Sequence, residues 1–216
     1  MRLMGPRKRW LHAWLWLLHI ATGLGLCLYV VIHMIDVGTV LLGKDTYNSV
    51  AHLMEEGALS GVVWVVLLLV GVGLIIHTLN GFRIASRPYR EPGRMWRHLR
   101  GVKHRGTWFW IFQVITGSLL VAFLVIHYFV IHGVGGGTIT FEATQARLVN
   151  CWYFLLYGAT LFVLLYHTVN GFRSVLIKLG IATELAAENR LLKIIYGVGA
   201  LLFIIAVAVL IRFIAG

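Results

Sequence analysis

The sequence predicts an all-α membrane protein with five transmembrane helices, the first four of which form a duplicated hairpin. Three observations predict this fold: the composition, five long apolar blocks and an internal repeat. Of the 216 residues, 59% are hydrophobic and only 12% are charged, whereas roughly 25% of the residues of an ordinary soluble domain are charged. So few charges could not cover the surface of a soluble domain of this size. The composition therefore argues against a soluble or disordered chain.

Each apolar block is near or above the roughly 20 residues that cross a bilayer as a helix. We predict one transmembrane domain over residues 1–216, with spans at 11–41, 58–83, 106–133, 148–174 and 189–214. The basic N-terminus resembles the start of a signal peptide, but the first block is much longer than the about 7–15 apolar residues of a signal. We therefore expect a retained first helix.

Most charged residues lie between the spans, and the segments on the two sides of the membrane differ in net charge. Nineteen Lys and Arg residues against eight Asp and Glu residues give a net charge of +11. The N-terminus and the second and fourth connections together carry +13, and the remainder carries −2. The positive-inside rule then predicts a multi-pass protein of the cytoplasmic (inner) membrane, with a cytosolic N-terminus and a C-terminus on the outside. Because topology explains the basic balance, we expect no nucleic-acid partner.

An internal repeat relates two pairs of helices. Residues 76–83 read IHTLNGFR and residues 166–173 read YHTVNGFR, so six of eight positions agree. The first and third spans also align, through Trp16 with Trp110, Thr22-Gly23 with Thr116-Gly117, and Ile32-His33 with Ile126-His127. Helices one and two are therefore expected to repeat as helices three and four, with the fifth helix as an addition. Repeats in membrane proteins often create a site at their interface.

Each of the first four spans carries one histidine at an equivalent place: His33, His77, His127 and His167. A lone histidine in a membrane is often an interhelical hydrogen-bond donor, but four repeated ones at two depths indicate a ligand set. A rise of about 1.5 Å per residue places His33 and His127 near the outer face, and His77 and His167 near the inner face. Two imidazoles are too few for a usual zinc site, and the spans hold almost no Glu for a di-iron centre. We predict two bis-histidine haem b groups, with iron ligands His33 and His127 in the outer and His77 and His167 in the inner one.

Cations and hydrogen-bond donors at the inner depth are candidates for contacts with the haem propionates. They are His19, Trp110, Arg83, Arg173 and Lys178. The alternative for the Trp, Arg and Lys side chains is ordinary anchoring at the membrane interface. His19 also precedes the first predicted ligand by 14 residues, the spacing of two haem ligands on one helix in the cytochrome b of quinol-oxidising complexes. The third span has Gln113 where the partner of His19 would lie, so we do not expect that arrangement.

Five spans with one histidine on each of the first four resemble the di-haem cytochrome b subunit of the fumarate reductase and succinate dehydrogenase family. The most specific segments are IHTLNGFR, YHTVNGFR and the stretch YNSVAHLMEEG after the first span. The resemblance implies an anchor for a flavoprotein with covalent FAD and an iron–sulfur protein on the cytosolic face. It further implies electron transfer between these subunits and the quinone pool, usually menaquinone. The resemblance is compatible with fumarate reduction or succinate oxidation, and with a dimer of the complex.

The resemblance also implies an acidic residue that accepts protons during quinol oxidation at the outer haem. Glu55 is the best positional match and Glu56 is its neighbour, while the alternative is that both are solvated loop acids. Asp36 lies one helical turn beyond His33 and is a third candidate. Position 165 is Leu where some family members have a glutamate assigned to a proton route across the membrane. This departure predicts that menaquinol turnover is electrogenic or is compensated by another path.

Two other classes of protein fit parts of the pattern. A haem b anchor of another dehydrogenase, such as a hydrogenase or a formate dehydrogenase, also uses bis-histidine haem, but usually with more than one ligand on a helix. Copurified flavin would distinguish that class. A transporter with parallel repeats would leave the four histidines unexplained, and an absorbance spectrum would exclude it.

Overall fold

The computed structural model describes residues 6–85, 101, 105–131, 137, 139–181 and 184–216. Its helices are α1 (Pro6–Gly38), α2 (Lys44–Glu55), α3 (Ser60–Ala85), α4 (Arg105–Phe129), α5 (Phe141–Leu148), α6 (Cys151–Lys178) and α7 (Leu185–Ala215). A 3₁₀ turn, Thr39–Leu42, follows α1 directly. No β-strand occurs in the described ranges. The predicted all-α fold class is confirmed.

Five helices are long and apolar enough to cross a bilayer within the part of the chain that the structure describes. They cover Trp10–Leu42, Ser60–Ile84, Gly106–Phe129, Cys151–Lys178 and Ala186–Ala215. The prediction of five membrane spans is therefore confirmed. Large apolar side chains on these helices remain exposed, such as Leu28 at 62% and Trp64 at 67%, as expected for surfaces that face lipid. The predicted end of the third span, residue 133, lies outside the described residues.

The fourth span begins at Cys151 rather than at residue 148, because the preceding residues form the separate short helix α5. Thr140 caps α5, since its Oγ1 accepts a hydrogen bond from the Ala143 amide at 3.2 Å. Asn150 caps α6, since its Oδ1 accepts from the Trp152 amide at 3.0 Å. Caps of this kind stabilise a helix start by about 1 kcal/mol. Two caps ten residues apart therefore define two helices, and the span begins three residues later than predicted.

The long helices pack in a definite order. Helix α1 packs mainly against α3, and α4 packs mainly against α6, while α7 covers α6. We call the level of the bundle that contains His77 and His167 the His77 layer, and the level that contains His33 and His127 the His33 layer. The two hairpins, α1–α3 and α4–α6, each contribute one histidine to each layer.

The short helices α2 and α5 cover the bundle beyond the His33 layer. They share a buried cluster with the turn after α1 and the end of α7, which we call the cap cluster: Val40, Tyr47, Phe141, Leu148, Val209 and Phe213. The Phe213 ring is 1% exposed and lies 5.1 Å from the Tyr47 ring and 5.5 Å from the Phe141 ring, between centroids. Asn48 Oδ1 on α2 accepts from the amide of Phe141 at 2.8 Å. Apolar packing, this hydrogen bond and an ion pair between Lys44 and Glu142 thus hold the two connections together.

Candidate functional site

The four predicted ligand histidines meet in two pairs. The ring centroids of His33 on α1 and His127 on α4 lie 6.4 Å apart, with an interplanar angle of 73°. Those of His77 on α3 and His167 on α6 lie 6.5 Å apart, with an angle of 81°. The structure therefore brings together the same partners that helix depth predicts, and within each pair the rings are not stacked.

This spacing can be tested against a shared metal ion. Imidazole nitrogens bind such ions at about 2 Å, and the ring centre lies about 1 Å behind the nitrogen, so rings on opposite sides of one ion have centroids about 6 Å apart. Both pairs fit that separation. No group of three or more His, Cys, Asp and Glu residues that could hold a metal occurs among the described residues. Each pair thus offers two donors, as in a bis-histidine haem, where the macrocycle supplies the other ligands.

His77 is held by reciprocal hydrogen bonds between α1 and α3. Its Nδ1 donates to the carbonyl oxygen of His19 at 3.1 Å, and His19 Nδ1 donates to the carbonyl oxygen of His77 at 3.1 Å. The two rings stack at 4.1 Å between centroids. Thr22 Oγ1 lies 3.4 Å from His77 Nδ1, and a Cβ atom on Gly23 would lie 2.9 Å from His77 Cε1. With the proton on Nδ1, the Nε2 lone pair of His77 is free to bind a metal.

His167 has the equivalent environment between α4 and α6. Its Nδ1 lies 3.1 Å from Thr116 Oγ1, and a Cβ atom on Gly117 would lie 2.9 Å from its Cε1. Gln113 stands in the place of His19, and its Nε2 donates to the carbonyl oxygen of His167 at 3.0 Å. The same Gln113 nitrogen lies 3.3 Å from His167 Nε2. The sequence repeat therefore reappears as a repeat of contacts around His77 and His167.

The His33 layer uses different contacts. His127 Nδ1 lies 3.2 Å from the hydroxyl oxygen of Tyr157 on α6, and the Tyr157 ring meets the His127 ring edge-on. His33 is flanked on its own helix by Tyr29, whose ring is nearly parallel to the imidazole at 5.9 Å. Aromatic side chains thus take the place that Thr, Gly and backbone carbonyl groups have in the His77 layer.

A cavity of about 420 Å³ opens between α1 and α3 at the end of the bundle beyond the His77 layer. Arg83, which the sequence predicts as a propionate contact, lines it together with His12, Trp16 and Asn80. The Lys178 ammonium group, another predicted contact, lies 5.9 Å from the centre of the Trp16 ring. Arg83 therefore lines this cavity, and Lys178 lies near one of the other lining residues, Trp16.

Arg173, the repeat equivalent of Arg83, has a different environment. Its guanidinium group forms an ion pair with Glu188 of α7 and lies 4.7 Å from the centre of the Phe109 ring. The two charged side chains are only 12% and 26% exposed. Trp110, also predicted as a propionate contact, is half-buried next to Phe109. The fifth membrane span, α7, thus supplies the negative charge that pairs with Arg173.

A family model described as "Succinate dehydrogenase/Fumarate reductase transmembrane subunit" matches residues 4–85 and 87–206, a range that contains all four paired histidines. The chain belongs to this family. The chain is 28% identical over 188 residues to the fumarate reductase cytochrome b subunit of Helicobacter pylori (strain ATCC 700392 / 26695), which is 82% of this chain and 71% of that protein. It is also 28% identical over 165 residues to the fumarate reductase cytochrome b subunit of Wolinella succinogenes, or 74% of this chain and 64% of that protein. The predicted family is confirmed.

The acidic residues predicted for quinol oxidation in this transmembrane-subunit family differ in exposure. Glu55 is the last residue of α2 and is half-buried. Glu56 is exposed, and its carboxylate lies 3.6 Å from His52 Nε2. Asp36 is half-buried near the end of α1, and its backbone carbonyl accepts a hydrogen bond from Thr39 at 2.7 Å. Glu55 and Asp36 are therefore the more shielded of the three.

Sequence reasoning missed Arg147 on α5 as a site candidate. It is only 8% exposed, and its Nε donates to the Ala143 carbonyl at 2.9 Å. In the sequence, Arg147 is a cation just before an apolar span. A count of charges does not distinguish such a residue from an ordinary loop residue. The contacts of Thr22 and Thr116 were also missed, although both residues were visible in the repeat.

Proposed function

We propose that this chain is the di-haem cytochrome b subunit that anchors a fumarate reductase or succinate dehydrogenase complex in the cytoplasmic membrane. In this role it carries electrons between menaquinol or menaquinone and the soluble subunits. The main support for the proposal is the distance between the imidazole ring centroids of each pair, 6.4 Å for His33 and His127 and 6.5 Å for His77 and His167. His33 and His127 would bind the outer haem iron, and His77 and His167 the inner one. The printed names of the relatives, cytochrome b subunits of fumarate reductase, support both the cofactor and the complex.

When bound, haem b supplies a one-electron relay, and the residues of the chain hold and orient it. The Nδ1 contacts of the His77 layer leave the Nε2 lone pairs of the two histidines to bind iron. At His167, the iron would replace the Gln113 amide group, whose nitrogen lies 3.3 Å from Nε2. Arg83 at the cavity and the nearby Lys178 are our first candidates for the propionates. His19 and Trp110 are further candidates, and Arg173 is the weakest, because Glu188 already neutralises it.

The cytosolic face is proposed as the docking surface for the partners. The segments assigned to that side carry a net charge of +13, against −2 on the other. A flavoprotein with FAD and an iron–sulfur protein would dock there, so that electrons cross the membrane between them and quinone at the His33 layer. The N-terminus then lies in the cytosol and the C-terminus outside.

Quinol oxidation releases two protons together with two electrons, so a base must lie near the quinol. Glu55 is our first candidate, because it is half-buried at the end of α2, whereas Glu56 is exposed and lies beside His52. Asp36 is the next candidate, one turn beyond His33. A positioned general base contributes about 100-fold or more to a rate. Glu55→Gln should therefore slow haem reduction by a menaquinol analogue by about that factor. Glu56→Gln should have a smaller effect, and the comparison shows which of the two carboxylates is the base.

The test uses the intact complex, purified in mild detergent from cells that express all subunits. We expect flavin and iron–sulfur protein to copurify with the chain, the haem to be reduced by a menaquinol analogue, and fumarate to reoxidise it. A chain that copurifies with haem but with no flavoprotein would contradict the assigned complex. Haem that dithionite reduces but the quinol analogue does not would contradict the quinone reaction.

A further inference from the structure

The Thr-Gly pairs of α1 and α4, Thr22-Gly23 and Thr116-Gly117, lie directly against the ligand rings of the His77 layer. We propose that they are positioning residues, which fix the tautomer and rotation of His77 and His167 and thereby lower the reduction potential of the inner haem. This proposal rests on the proposed function, since it concerns ligands of that haem.

The hydroxyl groups act as hydrogen-bond acceptors for the rings. Thr22 Oγ1 donates its own proton to the carbonyl oxygen of Leu18 at 2.8 Å. Thr116 Oγ1 donates to the carbonyl oxygen of Phe112 at 2.6 Å. A hydroxyl has one proton and two lone pairs, so His167 Nδ1–H donates to the Thr116 oxygen at 3.1 Å. The Nδ1–H of His77 is shared between the His19 carbonyl oxygen at 3.1 Å and the Thr22 oxygen at 3.4 Å. The proton is thereby kept on Nδ1, and the lone pair on Nε2.

The glycines fix the rotation of the rings by close approach. A side chain at Gly23 or Gly117 would place its Cβ 2.9 Å from the Cε1 atom of the adjacent ligand ring, which is shorter than a van der Waals contact. The ring of His19 also stacks on His77, with 4.1 Å between the centroids. Since the interior of a helix bundle is close-packed, the ring cannot retreat without moving its Nε2 atom.

The direction of the effect follows from ligand basicity. A hydrogen bond accepted from Nδ1–H makes the imidazole a more basic ligand, and a more basic ligand favours oxidised iron. Removing the acceptor should therefore raise the potential. Thr116 lies closer to its ligand nitrogen than Thr22 does, 3.1 Å against 3.4 Å. The effect should be larger at Thr116.

The test is a potentiometric titration of the haem absorbance in the purified holoprotein. The variants are Thr116→Val, which keeps the shape and loses the hydroxyl, Thr22→Val, and Thr116→Ser, which restores a hydroxyl. Ser118→Ala is the matched control, because the Ser118 hydroxyl on the same helix bonds only to the Val114 carbonyl, at 2.9 Å, among the described residues. The inner component is identified as the one that His167→Ala removes.

At a fixed solution potential, we expect Thr116→Val to lower the ratio of oxidised to reduced inner haem by about threefold to tenfold. A tenfold change corresponds to a rise of about 59 mV in the reduction potential for one electron. Thr22→Val should give a smaller rise, and Thr116→Ser and Ser118→Ala should give the wild-type value. The outer component should not move in any variant. If Thr116→Val loses the inner haem, the other two variants test the proposal. Thr22→Val must then raise the potential of the inner haem, and Thr116→Ser must leave it unchanged.

Unchanged potentials in both valine variants, or equal shifts of both components, would overturn the proposal. Either result would leave the two haems in place and the proposed function intact. A wild-type chain without haem would instead contradict the proposed function itself. The two failures are therefore distinguishable in the same titration.

Discussion

The His77 layer and the His33 layer bring two histidines to nearly the same separation by different means. In the His77 layer, each histidine ring meets a threonine and a glycine of the neighbouring helix, and each histidine carbonyl oxygen accepts a hydrogen bond from that helix, from His19 or Gln113. This set of contacts occurs twice. In the His33 layer, tyrosines flank the rings, and helices α2 and α5 close the bundle through the cap cluster. One layer is thus built by short repeated motifs, and the other by connections that are far apart in sequence.

The difference has an energetic reason. Within lipid there is little hydrophobic force between helices, so hydrogen bonds and small residues hold them together. At the end of the bundle, where α2 and α5 lie, burying apolar rings away from water can contribute as it does in a soluble protein. We therefore expect the His77 layer to be disturbed most by substitutions that add atoms next to the rings. The His33 layer should be disturbed most by substitutions that remove apolar atoms from the cap cluster.

The largest effect is expected from adding one methyl group to the His77 layer. Gly23→Ala places a Cβ 2.9 Å from His77 Cε1, so the ring must move and the inner haem should be lost or strongly displaced. Gly25→Ala is the matched control, because a Cβ there meets no atom within 4 Å and Ala favours a helix. Haem content by pyridine haemochrome checks both variants. Equal haem content in both would contradict the close packing.

A smaller effect is expected from emptying the cap cluster. Phe213→Ala should destabilise the protein by about 3 kcal/mol, because a fully buried Phe leaves a cavity. Thermal unfolding in detergent, followed at the haem absorbance, should show the outer component bleaching at a lower temperature and the inner one unchanged. Ile211→Ala is the control, since Ile211 is 55% exposed on the same helix. Simultaneous loss of both components would show that the layers are not independent.

The smallest effect is expected from the exposed ion pair between Lys44 and Glu142, which joins α2 and α5. The hydrogen bond from Lys44 lowers the pKa of the Glu142 carboxyl below its ordinary value. A lowered pKa contributes stability above the pKa of the unfolded chain, and this contribution is lost as the pH falls through the lowered value. Glu142→Gln should therefore lower the Tm slightly at neutral pH and low salt, and less at high salt or acidic pH. A large, salt-independent fall in Tm would assign the cap to this pair rather than to packing.

Much of the fold is predictable because its signals are local. Apolar length gives the five spans, and helix rise gives the depth of each histidine and so the pairs. The cap cluster is not predictable in this way, because Val40, Phe141 and Phe213 come from distant segments whose contact depends on the whole bundle. Arg173 illustrates the same limit. The repeat makes it equivalent to Arg83, but Glu188 on the unrepeated helix α7 breaks that symmetry.

The hydroxyl contacts of Thr22 and Thr116 were hidden for another reason. A threonine in a helix commonly bonds to a carbonyl of its own preceding turn, and both residues do so here. Only the three-dimensional structure shows that the same oxygen also lies against Nδ1 of His77 or His167. The repeat marked these positions, but it could not distinguish helix packing from a contact with a histidine ring.

The most direct test of the central claim is haem quantitation by pyridine haemochrome, with a reduced-minus-oxidised spectrum of the purified chain. We predict two haem b groups per chain in the wild type. His77→Ala or His167→Ala should remove one of them, and His33→Ala or His127→Ala should remove the other. No haem in the wild type, or loss of the same component from variants of both pairs, would contradict the assignment of the two histidine pairs as two haem sites.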